Sequence, residues 1–211
     1  MNKAEYSIGG LSIFSVQVSD FSTNCYIVAD KTGRALVIDP GDEAADISRL
    51  IDQAGLKPEL IVLTHTHIDH LMAAGHVKRT YKIGLAAHFE ARKAMAYLPL
   101  QMKVFGFNNA EIPVIDTYLK EGDMIFNLFR VIHTPGHSPD AICLYSEGLL
   151  FSGDTLFAGS IGRTDLPGGD YDLIINSIKD KILVLPPDTS VFPGHGNRTT
   201  IGCEKKENIY L

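Results

Sequence analysis

The sequence predicts a mixed α/β fold in one continuous domain over residues 1–211. Short apolar, β-branched runs recur along the whole chain, and amphipathic helical segments follow some of them. The helices are spaced too irregularly for a plain doubly wound sheet. No linker, low-complexity segment or short repeat interrupts the pattern, and 45% hydrophobic with 21% charged residues is the composition of a folded globular chain.

Residues 11–18, LSIFSVQV, put Leu11 and Ile13 on one parity and Phe14, Val16 and Val18 on the other. That switch predicts a strand with a bulge near Phe14. Strands also fit 24–29 and 35–38, the second ending in Asp39-Pro40-Gly41. A helix is predicted over 43–54. Ile47, Leu50, Ile51 and Ala54 form its apolar stripe, Asp42 can cap it and Gly55 ends it. The run LIVL at 60–63 reads as a buried strand. A helix is predicted from about Asp69 to Tyr81, then a strand over 83–87 and helix over 89–97. The segment 98–110, LPLQMKVFGFNNA, has no clean period; it reads as core, a dimer contact, or an apolar wall carrying Phe105 and Phe107. Strands follow at 112–115, 124–132, 141–145 and 149–152. Residues 171–183 read as a helix with Ile174, Ile178 and Ile182 on one stripe. A short strand at 190–192 and a helix near 200–208 close the chain.

Composition excludes some functions. The net charge of −6 makes nonspecific nucleic-acid binding a poor fit. No apolar run approaches the roughly 18–20 residues that span a membrane. The N-terminus has no apolar signal segment. The cysteines number three, an odd count, without a CxxC. Cys25 and Cys143 sit in strand-like contexts where a buried thiol is expected, and a cytoplasmic home fits best.

Seven residues carry the chemistry: His65, His67, Asp69 and His70 in THTHIDH, then His137, Asp154 and His195. In extended chain, i and i+2 point to one side, so His65 and His67 can approach a single ion. Asp69 and His70 fall where the chain turns into a helix and can face elsewhere. The later three repeat a positional pattern. FRVI runs into HTPGH, LLFSG into Asp154 and SVF into Pro193-Gly194-His195. Each ligand-type residue follows an apolar strand, where α/β proteins place their sites. A lone histidine is usually structural, but packing does not explain seven such residues. His76, inside a helix, and His88, at a strand end, read as structural, and His133 stays outside the set. With no cysteine nearby, the donors suit Zn, Fe, Mn or Co.

THTHIDH, with HTPGH, FSGDT and FPGHG following in order, resembles the metallo-β-lactamase fold superfamily. The loop GDTLFAGSIGRTDLPGGD and the ending PGHGNRTTIGCEKKEN are similar to its single-domain, glyoxalase II-like branch. The resemblance implies an αββα sandwich of two mixed sheets flanked by helices, with two divalent ions, zinc first and iron or manganese next. It assigns His65, His67 and His137 to the first ion, and Asp69, His70 and His195 to the second. Asp154 bridges them, and Asp39 supports a ligand histidine from behind. Full-length glyoxalase II carries a further helical domain that contacts glutathione. The chain ends at Leu211, soon after His195, with no room for that domain, so the resemblance leaves open whether glutathione is part of the substrate.

The expected reaction is hydrolysis of a small-molecule thioester by a metal-bridging hydroxide, with Asp69 orienting the nucleophile. Arg163, in GSIGRTDLPGG, is expected to grip the substrate's anionic end; its bland alternative is a surface pair with Asp165 or Asp170. The rivals are a lactone or ester hydrolase, a mononuclear iron persulfide dioxygenase and a non-catalytic metal-holding protein. β-Lactam hydrolysis and nucleic-acid processing are not expected. Neither membrane nor nucleic acid is an expected partner.

Overall fold

The computed structural model describes residues 3–106 and 111–211. Phe107 therefore lies outside the described residues. The chain divides into two compact units, one of residues 1–87 and 97–118, the other of residues 88–96 and 119–211.

In chain order the first unit contains β1 (Lys3–Ile8), β2 (Leu11–Val18), β3 (Thr23–Ala29), β4 (Arg34–Ile38), α1 (Ala44–Gln53), β5 (Lys57–Val62), α2 (Ile68–Leu71), α3 (Ala74–Tyr81) and β6 (Gly84–His88). α4 (Ala91–Ala94), which belongs to the second unit, and a 3-10 turn (Met95–Tyr97) precede α5 (Leu98–Phe105), and β7 (Thr117–Leu119) completes a seven-stranded sheet in the order β1 to β7. The first four strands pair antiparallel, while β4, β5 and β6 are parallel, so the sheet is mixed. Buried Ile27, Leu36, Ile38, Ile47, Ile51 and Ile61 supply much of the core.

The second unit contains β8 (Met124–Ile125), β9 (Phe129–His133), β10 (Ile142–Ser146), β11 (Leu149–Gly153), a small hairpin β12 (Leu156–Phe157) and β13 (Ser160–Ile161), α6 (Tyr171–Ser177), a π turn (Ile178–Ile182), β14 (Ser190–Pro193), β15 (Thr199–Thr200) and α7 (Ile201–Glu207). Its six-stranded sheet runs β15-β14-β11-β10-β9-β8 and is also mixed, β11 and β14 being the parallel pair. Ile174, Ile178 and Ile182 are fully buried against Ile132, Leu150 and Val191, so the predicted stripe faces the core. Burial pushes the Cys143 thiol up to about 11, and Cys25 is likewise raised by burial.

Several boundaries differ from the sequence reading. β2 pairs with β1 and β3 in unbroken register, so there is no bulge at Phe14. Instead the strand buries one face at Leu11 and Ile13 and the opposite face at Val16 and Val18. The cap of α1 is Glu43, in a left-handed conformation, and Asp42 accepts from the Glu43 amide. The predicted 69–81 helix breaks at Met72-Ala73, where the Ala73 amide donates to the Pro40 carbonyl at 3.0 Å. Residues 112–115 form no strand; the ladder is taken up at Thr117. The predicted 124–132 strand is split by a tight turn with Phe126 and Asn127 at positive φ. The 171–183 helix turns from α to π at Ile178, which keeps the isoleucine stripe inward.

Candidate metal centre

His65, His67, Asp69 and His70 belong to the first unit. β5 is a central parallel strand, and its ladder extends one residue further because the Leu63 amide donates to the Ala86 carbonyl at 2.9 Å. The chain then leaves the sheet as Thr64-His65-Thr66-His67 and turns at once into α2. Ring nitrogens of His65 lie within 4.8 Å of donors on His67 and on His70, and an Asp69 carboxylate oxygen lies within 4.8 Å of a His70 nitrogen. The His65 ring centroid is 4.7 Å from that of His67 and 4.1 Å from that of His70. Asp69 and His70 therefore join the first pair rather than facing away from it.

One buried carboxylate organises this loop. Asp39 follows β4 with φ +50°, a conformation that aspartate tolerates better than most residues. Its Oδ1 accepts from the Thr64 amide at 2.7 Å. Its Oδ2 accepts from the Thr64 hydroxyl at 2.6 Å and from His70 Nδ1 at 2.9 Å. A carboxylate only accepts, so His70 carries its proton on Nδ1 and keeps the Nε2 lone pair for another partner. The Thr64 hydroxyl spends its proton on Asp39, so it accepts from His65 Nδ1 at 3.2 Å and leaves His65 in the same tautomer. Asp39 thus sets one candidate ligand histidine directly and another through Thr64. In the sequence the signal for Thr64 is its place directly before His65.

His137, Asp154 and His195 belong to the second unit and come from three separate strand ends. After β9 the chain makes Thr134-Pro135-Gly136-His137 and returns through a Thr134 amide to Ala141 carbonyl bond at 2.8 Å. The loop rests on α6. A Cβ on Gly136 would stand 2.2 Å from the Ile174 nitrogen, and the Ser177 hydroxyl donates to the Pro135 carbonyl at 2.8 Å. His137 Nδ1 donates to the Arg163 carbonyl at 2.8 Å, so its Nε2 also keeps a lone pair. Asp154 follows β11, and His195 follows the parallel neighbour β14. Asp154 Oδ2 lies 3.6 Å from His137 Nε2 and 3.5 Å from His195 Nε2.

These separations test whether the residues suit a metal. They exceed the hydrogen-bond range. With bonds of about 2.1 Å, two ligand atoms around a tetrahedral ion stand roughly 3.4 Å apart. Asp69 Oδ2 and His70 Nε2, at 3.5 Å, show the same spacing. The donor set is imidazole nitrogen and carboxylate oxygen, suited to Zn, Fe or Mn. In both units the candidate ligand aspartate has a glycine against its main chain. A Cβ on Gly41 would stand 1.8 Å from the Asp69 carbonyl oxygen, and one on Gly162 would stand 1.8 Å from the Asp154 carbonyl oxygen.

Arg163 meets Asp165 through two side-chain hydrogen bonds of 2.7 and 2.8 Å, both groups being exposed. That pair holds the Asp165 carboxyl down at about 2. The contact of Arg163 with the candidate ligands is its carbonyl, a role no side-chain argument finds. His76 is exposed on α3. His88 is buried, stacked on His133 at 3.8 Å, and accepts at Nδ1 from the Glu90 amide. His133 Nε2 donates to the Pro139 carbonyl at 2.9 Å, inside the loop that carries His137.

Comparison with known proteins follows the same residues. The model of the metallo-beta-lactamase superfamily matches residues 18–195, which span all seven. Hydroxyacylglutathione hydrolase GloC of Haemophilus influenzae is 37% identical over 209 residues, covering 95% of this chain and 98% of that protein. The solved structure of TTHA1623 in a di-iron-bound form has a TM-score of 0.87 at 37% identity, covering 94% of this chain and 100% of that one. BLEG-1, described as a B3 metallo-beta-lactamase, has the same TM-score and identity, with 93% and 98% coverage. The chain belongs to the metallo-beta-lactamase superfamily, has its fold and is a metallo-hydrolase of that family.

Proposed function

We propose that the seven residues together hold two divalent ions and that the chain hydrolyses small-molecule thioesters. In the family's ligand order, His65, His67 and His137 take one ion. Asp69, His70 and His195 take the other, and Asp154 bridges. The observation that carries this reading is the single Asp154 oxygen between the Nε2 atoms of His137 and His195, at ligand rather than hydrogen-bond spacing. Zinc suits the donors, and the di-iron form of TTHA1623 makes iron the alternative.

When bound, such a pair of ions would lower the pKa of a water to about 7 and polarise a carbonyl. The chain's own residues supply the rest. The Thr23 hydroxyl donates to Asp69 Oδ2 at 3.1 Å and holds the carboxylate that would orient the attacking water. Asp39 and Thr64 keep the His70 and His65 rings from turning. A thiolate is a good leaving group, so the reaction needs no strong acid at that position. Arg163 exchanges Asp165 for an anionic substrate end, a cheap exchange at an exposed site. No helix among the described residues is long and apolar enough to cross a membrane. The reading is of a cytoplasmic enzyme without nucleic-acid or membrane partners.

The similarity to BLEG-1 favours a second reading, opening of a β-lactam ring, which asks for the same attack on a carbonyl carbon. The test uses metal-replete protein with lactoyl- and acetyl-thioesters, a chromogenic cephalosporin, and oxygen uptake with a persulfide. Thioester turnover that a chelator abolishes and added metal restores is expected. Turnover of the cephalosporin alone, or oxygen consumption alone, overturns the proposal.

A further inference from the structure

Among the described residues three carboxylate side chains are buried: Asp39, Asp140 and Glu204. Asp39 serves the first unit's candidate ligands, and Asp140 accepts from the Ser138 hydroxyl beside it. Glu204, on α7 in the second unit, has no part in the chemistry above. A carboxylate stays out of water only where donors meet it, so its partners show what it holds.

Glu204 Oε1 accepts from the Thr199 hydroxyl at 2.7 Å. Its Oε2 accepts from the Gly159 amide at 2.9 Å and from the Asn208 side-chain amide at 2.7 Å. The same Asn208 nitrogen donates to the Ser160 carbonyl at 3.0 Å. Gly159 and Ser160 lie at the tip of the β12–β13 hairpin, whose pairs are Leu156 with Ile161 and Phe157 with Ser160. The α7 end therefore takes an N–H from one tip residue and gives an N–H to the next. An opposed grip of this kind fixes the register of the tip. So short a hairpin is marginal in water by itself, and its place depends on what holds it. The holder is fixed in turn. Thr200 caps α7 at the Cys203 amide, buried Ile201 joins the core of Ile174, Ile178 and Val191, and the Gly202 amide donates to the Pro187 carbonyl at 2.8 Å.

The base of the hairpin reaches three candidate ligands. Asp154 leads into it, and the Gly162 amide closes it on the Thr155 carbonyl at 3.3 Å. A Cβ on Gly162 would stand 3.1 Å from the His137 Cβ, and the next residue, Arg163, offers His137 Nδ1 its carbonyl at 2.8 Å. From the first strand, the Phe157 ring meets the His195 ring edge to face at 6.2 Å between centroids. Gly162 follows Ser160 by only two residues, each spanning at most roughly 3.6 Å, so a tip that shifts carries the base with it.

We infer that Glu204 and Asn208 are positioning residues of the candidate metal centre. By clasping the hairpin tip they keep the Arg163 carbonyl on His137 and Phe157 on His195. That His137 and His195 are ligands rests on the reading above; the clasp and its effect on the His137 ring do not. The grip works through acceptor geometry. Glu204→Gln keeps one oxygen for Gly159 and Asn208, and the Thr199 hydroxyl can turn to accept from the new amide. Glu204→Ala leaves all three donors without that acceptor.

The experiment uses wild type, Glu204→Ala, Asn208→Ala and Glu204→Gln. Phe129→Leu, a loss of core volume in the same unit, controls for general loss of stability. Two readouts need no turnover. Nitrogen-15 NMR of the histidine rings in chelated protein should show His137 as the Nδ1–H tautomer with a slowly exchanging ring proton in wild type, Glu204→Gln and Phe129→Leu. Both alanine variants should lose that protection. Zinc affinity, measured by competition with a chromophoric chelator, should fall about tenfold in the alanine variants and hold in the other two. Asn208→Ala leaves Glu204 with Thr199 and Gly159, so it decides the matter if Glu204→Ala does not fold. If the pattern appears while wild type turns over no thioester, the clasp stands and the hydrolase reading falls. Alanine variants that keep both the His137 signal and zinc affinity overturn the clasp. So does a Phe129→Leu or a Glu204→Gln that loses as much as Glu204→Ala.

Discussion

In the first unit one loop supplies four candidate ligands, whereas in the second unit three loops supply one each. The two halves share a device and differ in another. Each presses a glycine onto the main chain of its aspartate, Gly41 against Asp69 and Gly162 against Asp154. They orient histidines differently. The first uses a buried carboxylate, Asp39, and a hydroxyl, Thr64. The second uses a main-chain carbonyl, that of Arg163. A side chain can be removed by substitution and a carbonyl cannot, so the halves should respond differently to mutation.

The shared device should give the largest effect. Gly41→Ala and Gly162→Ala each place a Cβ 1.8 Å from a carbonyl oxygen, which only a main-chain shift relieves. Each should cost at least about 3 kcal/mol and deplete bound metal, since overpacking against backbone has no rotamer to escape into. Gly55→Ala is the control: its Cβ would meet nothing within 4 Å, and only the φ of +64° opposes it. That change should cost about 1 kcal/mol. Denaturant unfolding and elemental analysis of the three variants check this. Equal losses in all three would mean that the close approaches are not the cause.

The contrasting device comes next. Asp39→Asn removes a charge-assisted acceptor from both His70 and Thr64 and should weaken metal binding about ten- to hundredfold. Arg163→Ala keeps the carbonyl on His137, so metal affinity should hold. KM for an anionic thioester should rise about tenfold, with kcat and the KM for a neutral thioester nearly unchanged, because the grip is the same in ground and transition states. Competition with a metallochromic chelator and steady-state kinetics separate the outcomes. If Arg163→Ala loses metal as Asp39→Asn does, its side chain supports the loop and the contrast fails.

This contrast also explains what was legible in the sequence. THTHIDH is read at once because its candidate ligands share one strand end and one helical turn. His137, Asp154 and His195 are read only by noticing that each follows an apolar strand, and parallel pairing of β11 with β14 is what sets the last two side by side. The isoleucine stripe at 174, 178 and 182 was visible because one periodic face is buried. The split of 124–132, the break at Met72-Ala73 and the strand at Thr117 were not. Each is decided by a tertiary hydrogen bond or by positive φ at an ordinary residue, neither of which leaves a compositional mark. The Arg163 carbonyl was invisible for the same reason.

The smallest effect concerns His88. Burial and the neighbouring His133 hold it down at about 4, below its ordinary 6.5. The folded state therefore favours the neutral ring. Its contribution to stability is full above about pH 6.5 and is lost as pH falls through 6.5 toward 4. His88→Phe should flatten the acid limb of stability in that window, measured in the presence of a chelator so that no metal release contributes. An unchanged acid limb would show that His88 titrates alike in both states.

The proposed function turns on the seven residues holding two ions. The direct measurement is metal stoichiometry by elemental analysis, joined to anomalous diffraction from metal-replete crystals. Two ions per chain are predicted, with Asp154 touching both and with Asp69, His70 and His195 on the second. One ion per chain under metal-replete conditions, with Asp69 and His195 uncoordinated, would contradict the account.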